Sequence, residues 1–348
     1  MVNDNEEFPM LDDDESFQPS VRGFAPEQMV TCEACLRANP PTRTSCLYCA
    51  AALPTTAESE QLRRPTLRRL EKWEQGFNCI LMPEKTEPLS DEAFREAADL
   101  LRLSAVDLKR IIDAGDPLPL ARAATEDDAA LIKSKLDLLK LGVMIVSDHD
   151  LALDAHAPKR IRAMELTDAS LVAHPLGGGG ELRVAWTEIL LFVGGRHLLR
   201  RIEVQERRGR GSENEIADTR ELSSDESLLD IYSTARNDGG LRIASANFDF
   251  SCLGERKRLL AAENFTTLVE SLCERAPQAE RDDSYQRVRH ALHAAWPLEQ
   301  HTESRGFRRE RPGKYSVESA TTSDNESQFT RYSRLRHYLK LRSAGLKR

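Results

Sequence analysis

Four cysteines carry the clearest chemistry in this sequence: Cys32-x2-Cys35, ten residues, then Cys46-x2-Cys49. A Cys-x2-Cys pair on a tight turn aims two thiolates at one point. Two such turns supply the four ligands, at about 2.3 Å, that a closed tetrahedral zinc site prefers. Structural Zn2+ held by Cys32, Cys35, Cys46 and Cys49 is therefore expected, with a redox dithiol pair and chance spacing as the alternatives. The remaining cysteines, Cys79, Cys252 and Cys273, lie in apolar stretches and read as small buried residues. An odd total of seven argues against a disulfide framework.

A second, weaker collection of metal-capable side chains is Asp148-His149-Asp150 with Asp154 and His156. It falls in a polar connection where no helix or strand fixes the ligands, so coordination there is not expected. The sequence contains no nucleophile elbow, His-Glu-x-x-His pair, phosphate loop or dinucleotide fingerprint. Catalysis is accordingly not expected, and no catalytic or cofactor-binding residue is singled out.

The elements that position the cysteines are short. Residues 30–54 form a compact segment, preceded at 1–29 by an acidic arm and followed at 55–75 by a linker and a basic stretch. In that stretch Leu67, Leu70 and Trp73 oppose Arg63, Arg64, Arg68, Arg69 and Lys72, a spacing that predicts a short amphipathic helix. Residues 1–20 hold seven acidic and no basic residues, and residues 301–348 hold twelve basic and five acidic ones. Such blocks read as solvated tails, or as an arm that masks a tail.

The cysteine segment resembles the zinc fingers of the Ran-binding-protein type, through Cys35-x3-Asn39-x6-Cys46, with Val30 where that family has tryptophan. The resemblance implies a contact with single-stranded RNA or with ubiquitin. Only Arg37, Arg43 and Tyr48 lie between or within the knuckles, so a protein contact or a structural cap is preferred over nucleic acid.

Residues 76–148 read as strand (77–82), a helix capped by Ser90, a helix capped by Ser104 and ended at Gly115, a loop at Asp116-Pro117-Leu118-Pro119, a helix started by Thr125, and strand (143–146). This order is similar to the C-terminal domain of the bacterial ribosomal stalk protein. Arg102-Leu103-Ser104-Ala105-Val106-Asp107-Leu108-Lys109 stands where that family docks translation factors. The resemblance implies the fold more than the docking.

From residue 155 to 276 the pattern is about seven short extended runs, then a helix with Phe265, Leu268, Val269 and Leu272 on one stripe. Gly177–Gly180 reads as a hairpin turn, and 207–220 as an exposed loop. This segment resembles the pleckstrin-homology superfold, whose members bind phosphoinositides or peptides. Thr167-Asp168-Ala169-Ser170, where a lipid-binding member is basic, carries no Lys or Arg, so lipid binding is not expected. A helical extension at 277–298, a polar linker at 299–327 and a basic amphipathic helix at 328–342 complete the chain.

The expected fold class is α+β and multidomain: a small zinc ribbon, a compact αβ module and an antiparallel β-barrel capped by a helix. No run of residues is long and apolar enough for a membrane span, and the acidic N-terminus lacks the pattern of a signal peptide, so the cytoplasm is expected. The functional expectation is a zinc-binding adaptor or regulatory protein whose partner is a protein of unknown identity. A translation-associated or RNA-binding factor is the alternative.

Overall fold

The structure is a computed structural model that describes residues 24–54, 65, 67–71, 73–153, 157–208, 214–234, 239–311 and 314–346. The chain divides into two compact units, Met1–Arg64 and Pro65–Arg348. In the first, β1 (Val30–Thr31) pairs antiparallel with β2 (Ala38–Asn39), Val30 opposite Asn39. Its buried hydrophobic residues are Val30, Cys32, Cys46 and Leu53. Four side chains cannot offset the entropy of ordering some thirty residues.

The second unit opens with the αβ segment. A three-stranded sheet, order β4-β3-β5, is formed by β3 (Phe77–Leu81), β4 (Leu118–Ala123) and β5 (Val143–Ser147). Three helices accompany it: α1 (Asp91–Leu101), α2 (Ala105–Asp113) and α3 (Glu126–Leu138). Their first turns are capped by Ser90, Ser104 and Thr125, whose hydroxyls accept the N–H groups of Ala93, Asp107 and Asp128. Of the loop expected at 116–119, Leu118 and Pro119 instead belong to β4. Pro119 is tolerated because β4 is an edge strand and its register with β3 shifts at this point, the two settings where a strand accepts proline.

A nine-stranded, curled half-barrel sheet follows, in the order β13-β14-β9-β10-β11-β6-β7-β8, with β12 beside β9. Its strands are β6 (Lys159–Leu166), β7 (Ser170–Pro175), β8 (Leu182–Ala185), β9 (Ile189–Arg208), β10 (Asn214–Ser233), β11 (Leu241–Ala244), β12 (Glu280–Asp282), β13 (Glu299–Arg311) and β14 (Lys314–Asp324). Gly177 to Gly179, all at positive φ, turn the chain from β7 to β8. The helix α4 (Ala261–Arg275) lays Leu268, Val269 and Leu272 against Ile161, Leu171, Phe192, Leu229 and Ile243 of the sheet.

Several expectations are corrected. Of the loop expected at 207–220, the described residues 207–208 and 214–220 are strand, because β9 and β10 are twenty residues each and pair along their length; residues 209–213 lie outside the described residues. The polar linker expected at 299–327 holds the hairpin β13–β14, which adds to the edge of β9 through its backbone ladder. The described residues of 207–220 and most of 299–324 lack the apolar alternation that announces a strand. The basic helix expected within 55–75 does not form over the described residues 65, 67–71 and 73–75, where Leu67 packs on the core and Trp73 is 80% exposed. The helical extension expected at 277–298 is broken, holding α5 (Tyr285–Val288) and a 3-10 turn at Ala291–His293.

The last helix, α6 (Glu326–Ser343), is basic in sequence but buries Phe329, Tyr332, Leu335 and Leu341. Phe329, Tyr332 and Leu335 share one continuous core with Ile80 and Leu81 of β3, Leu191 and Val193 of β9, and Tyr285, Leu292 and Trp296. The αβ segment and the large sheet are thus joined through 285–296 and α6. Asp148 adds a polar link to this junction: its carboxylate accepts from Arg331 of α6 at 2.8 Å, from Asn78 at 2.9 Å and from Arg122. Among the described residues, no helix is long and apolar enough to cross a membrane.

Candidate metal centre

The two cysteine pairs are built alike. In the first, the Cys32 N–H donates to the Arg37 carbonyl (3.0 Å), and the Leu36 N–H donates back to the Cys32 carbonyl (2.8 Å). In the second, the Cys46 N–H donates to Ala51 (2.8 Å) and the Ala50 N–H to Cys46 (3.1 Å). Each turn is closed by a residue in the left-handed region directly after its second cysteine, Leu36 at φ 58° and Ala50 at φ 59°. Non-glycine residues adopt this conformation only when their surroundings enforce it.

The result is one cluster. All four Sγ atoms lie within 4.8 Å of one another, with Cys32 to Cys49 at 3.6 Å and Cys35 to Cys46 at 3.5 Å. A disulfide needs about 2.05 Å, so these sulfurs are unbonded thiols. A tetrahedron with metal–sulfur bonds of about 2.3 Å has edges of about 3.8 Å, close to the two short separations. Cys32 and Cys46 are buried, Cys35 is half-buried and Cys49 is exposed. The four cysteines could therefore hold one metal ion.

Asn39 ties the two turns together. Fully buried, it donates Nδ2 to the Arg37 carbonyl (2.8 Å) and to Cys46 Sγ (3.5 Å), and its Oδ1 accepts the Leu47 N–H (2.8 Å). The Tyr48 N–H points at the same sulfur, 3.4 Å away. Burial by itself raises the Cys46 thiol, but the amides of Tyr48 and Cys49, with Cys35 and Asn39, outweigh it and draw the group down to about 6. Cys49 behaves oppositely. The Ala51 amide lowers it, yet the sulfurs of Cys32 and Cys35, burial and Cys46 together push it up to about 12. Cys35 is also raised, with the Arg37 amide opposing and burial and the Cys46 and Cys32 sulfurs prevailing. One sulfur ionises readily and its neighbours resist, the pattern of like charges crowded together; a divalent cation removes that resistance.

The other groups singled out in the sequence do not join a site. Asp148 is committed to Arg122, Arg331, Asn78 and the Gly76 N–H. Asp150 caps the Ser147 N–H at 3.1 Å, and Asp154 and His156 lie outside the described residues. Among the described residues the four cysteines form the one cluster of metal-capable side chains. Cys79 is buried in β3 and pushed up to about 12 by that burial, and Cys252 and Cys273 are half-buried against the second core.

No family model matches this chain. Neither a curated protein nor a solved structure matches it. The likenesses to Ran-binding-protein fingers, the ribosomal stalk domain and the pleckstrin-homology superfold therefore rest on the quoted residues alone. Sequence reading missed the paired left-handed residues Leu36 and Ala50. Two non-glycine residues, each following the second cysteine of a pair, were the available signal.

Proposed function

We propose that Cys32, Cys35, Cys46 and Cys49 bind one structural Zn2+ and that the chain is a cytoplasmic adaptor that holds a protein partner, with no reaction of its own. The observation that carries the metal reading is the convergence of four unbonded sulfurs within 4.8 Å on two matched turns. Zinc supplies two positive charges that let all four sulfurs ionise and cross-link turns whose own apolar core is four side chains. The zinc unit leaves Leu36, Leu47 and Tyr48 more than half exposed, and apolar side chains held outward by a rigid knuckle suit a protein contact. Affinity capture with the full chain and with a Leu36→Ser/Leu47→Ser variant tests this reading. Specific proteins recovered by the first and lost by the second support it; identical recoveries contradict it.

One observation favours RNA as the second reading. The Arg37 guanidinium stacks 4.6 Å above the exposed Tyr48 ring, a pairing on which bases also stack. Phosphate contacts would make binding fall steeply between about 50 and 200 mM salt. Absent or salt-independent binding of single-stranded RNA removes this alternative.

A further inference from the structure

The strand β5 is an edge. Among the described residues it pairs with β3 on one side and with no strand on the other. The Met82 N–H donates to the Gly142 carbonyl and the Asp148 N–H to the Gly76 carbonyl, both at 2.8 Å. In an unbroken antiparallel ladder alternate residues face the partner, so Gly142, Met144, Val146 and Asp148 point their backbone groups at β3. Val143 and Ile145 point theirs outward, and no hydrogen bond to them is found among the described residues. Native proteins blunt such edges with proline, inward charge or a bulge, but Val143-Met144-Ile145-Val146 carries none.

This edge faces a groove of about 940 Å³, with Val143, Met144 and Ile145 on one wall and Arg336, Leu339, Lys340 and Ser343 of α6 on the other. Its charges are unevenly spent. Asp137 is bridged by Lys133, Asp116 by Arg287, and Glu280 by Lys340 at 2.8 Å. Lys85 and Arg342 make no ion pair among the described residues, and of the lining carboxylates only Glu84 likewise makes none. The groove therefore offers unmet backbone donors and acceptors at strand spacing, apolar side walls, and one more unpaired cation than unpaired carboxylate.

We propose that this groove takes an extended, acidic peptide segment of a partner protein, which pairs with Val143 and Ile145 as a fourth strand. Strand addition draws affinity from the main chain and selectivity from the walls, here from Lys85 and Arg342. The proposal names a contact apart from the metal centre and does not depend on it.

The test selects binders to the full chain from a random decapeptide display library. Selected peptides should be rich in Asp, Glu and β-branched residues and should slow hydrogen exchange at the Val143 and Ile145 amides. Ile145→Pro removes an outward N–H together with a side chain packed on the core, so its fold is checked by urea unfolding, and Arg342→Glu reverses an exposed charge and leaves the strand intact; each should weaken the selected peptides at least about tenfold, or about 1.4 kcal/mol. Zinc content should not change in either variant, which separates failure here from failure of the metal reading. The proposal is overturned if no peptide protects those amides, if basic peptides are selected, or if Arg342→Glu binds as well as the parent. Self-association of the chain that protects the same amides would also overturn it, by giving the edge to a second copy.

Discussion

Asn39 Nδ2 lies 3.5 Å from Cys46 Sγ, and Oδ1 of the same side chain accepts the Leu47 N–H at 2.8 Å. One buried amide thus fixes both the sulfur and the turn that presents it. Asn39→Ala leaves the Leu47 N–H and the Arg37 carbonyl without this partner. Groups that orient a ligand in this way typically contribute about 10- to 100-fold in metal affinity. Competition with a chromogenic chelator should show at least a tenfold loss; an unchanged affinity would reduce Asn39 to a space-filling role.

Gly195 and Phe329 are in such close approach that a Cβ on Gly195 would sit 2.2 Å from the Phe329 ring. Phe329 is fully buried and lies 5.0 Å beneath the Arg242 guanidinium. Gly195→Ala should therefore cost about 1–3 kcal/mol in urea unfolding, as overpacking does. Adding Phe329→Leu should recover part of that loss. A double variant weaker than the sum of both single changes would contradict the contact.

The Asp148 carboxylate governs an acid-sensitive junction. Burial alone would raise its pKa, but Arg331, Asn78 and Arg122 outweigh it and hold the group below the usual carboxylate range. A depressed carboxylate stabilises the fold above its unfolded pKa, near 4, and that contribution is lost as pH falls through the lower folded value. Asp148→Asn should flatten the acid limb of a stability-versus-pH curve. At pH 7 it should cost about 3–5 kcal/mol, since Arg122 and Arg331 lose a buried counter-charge. An unaltered acid limb would assign the junction to packing alone.

Much of this architecture is readable from local chemistry. Ser90, Ser104 and Thr125 announce three helix starts because a hydroxyl beside an apolar periodic run satisfies a free N–H. Cys32, Cys35, Cys46 and Cys49 are readable for the same reason, since each pair is organised by its own turn. What escapes is set by partners distant in sequence. Leu118–Ala123 is hidden by Pro119, whose acceptance depends on edge position and a register shift against Cys79 and Ile80. The β13–β14 hairpin is polar along its length, and pairing with β9 supplies what its side-chain pattern does not. Gly195 gains its meaning only from Phe329, 134 positions later in the numbering.

The central claim is the metal. Protein purified without chelator or added metal should contain close to one zinc per chain by elemental mass spectrometry, and Cys46→Ser should abolish it while Cys79→Ser leaves it intact. Removing the ion should unfold residues 30–54, seen as loss of their amide dispersion in NMR, with the signals of Pro65–Arg348 unchanged. Metal-free protein that keeps those signals, or cysteines recovered as disulfides with no stoichiometric metal, would contradict the account.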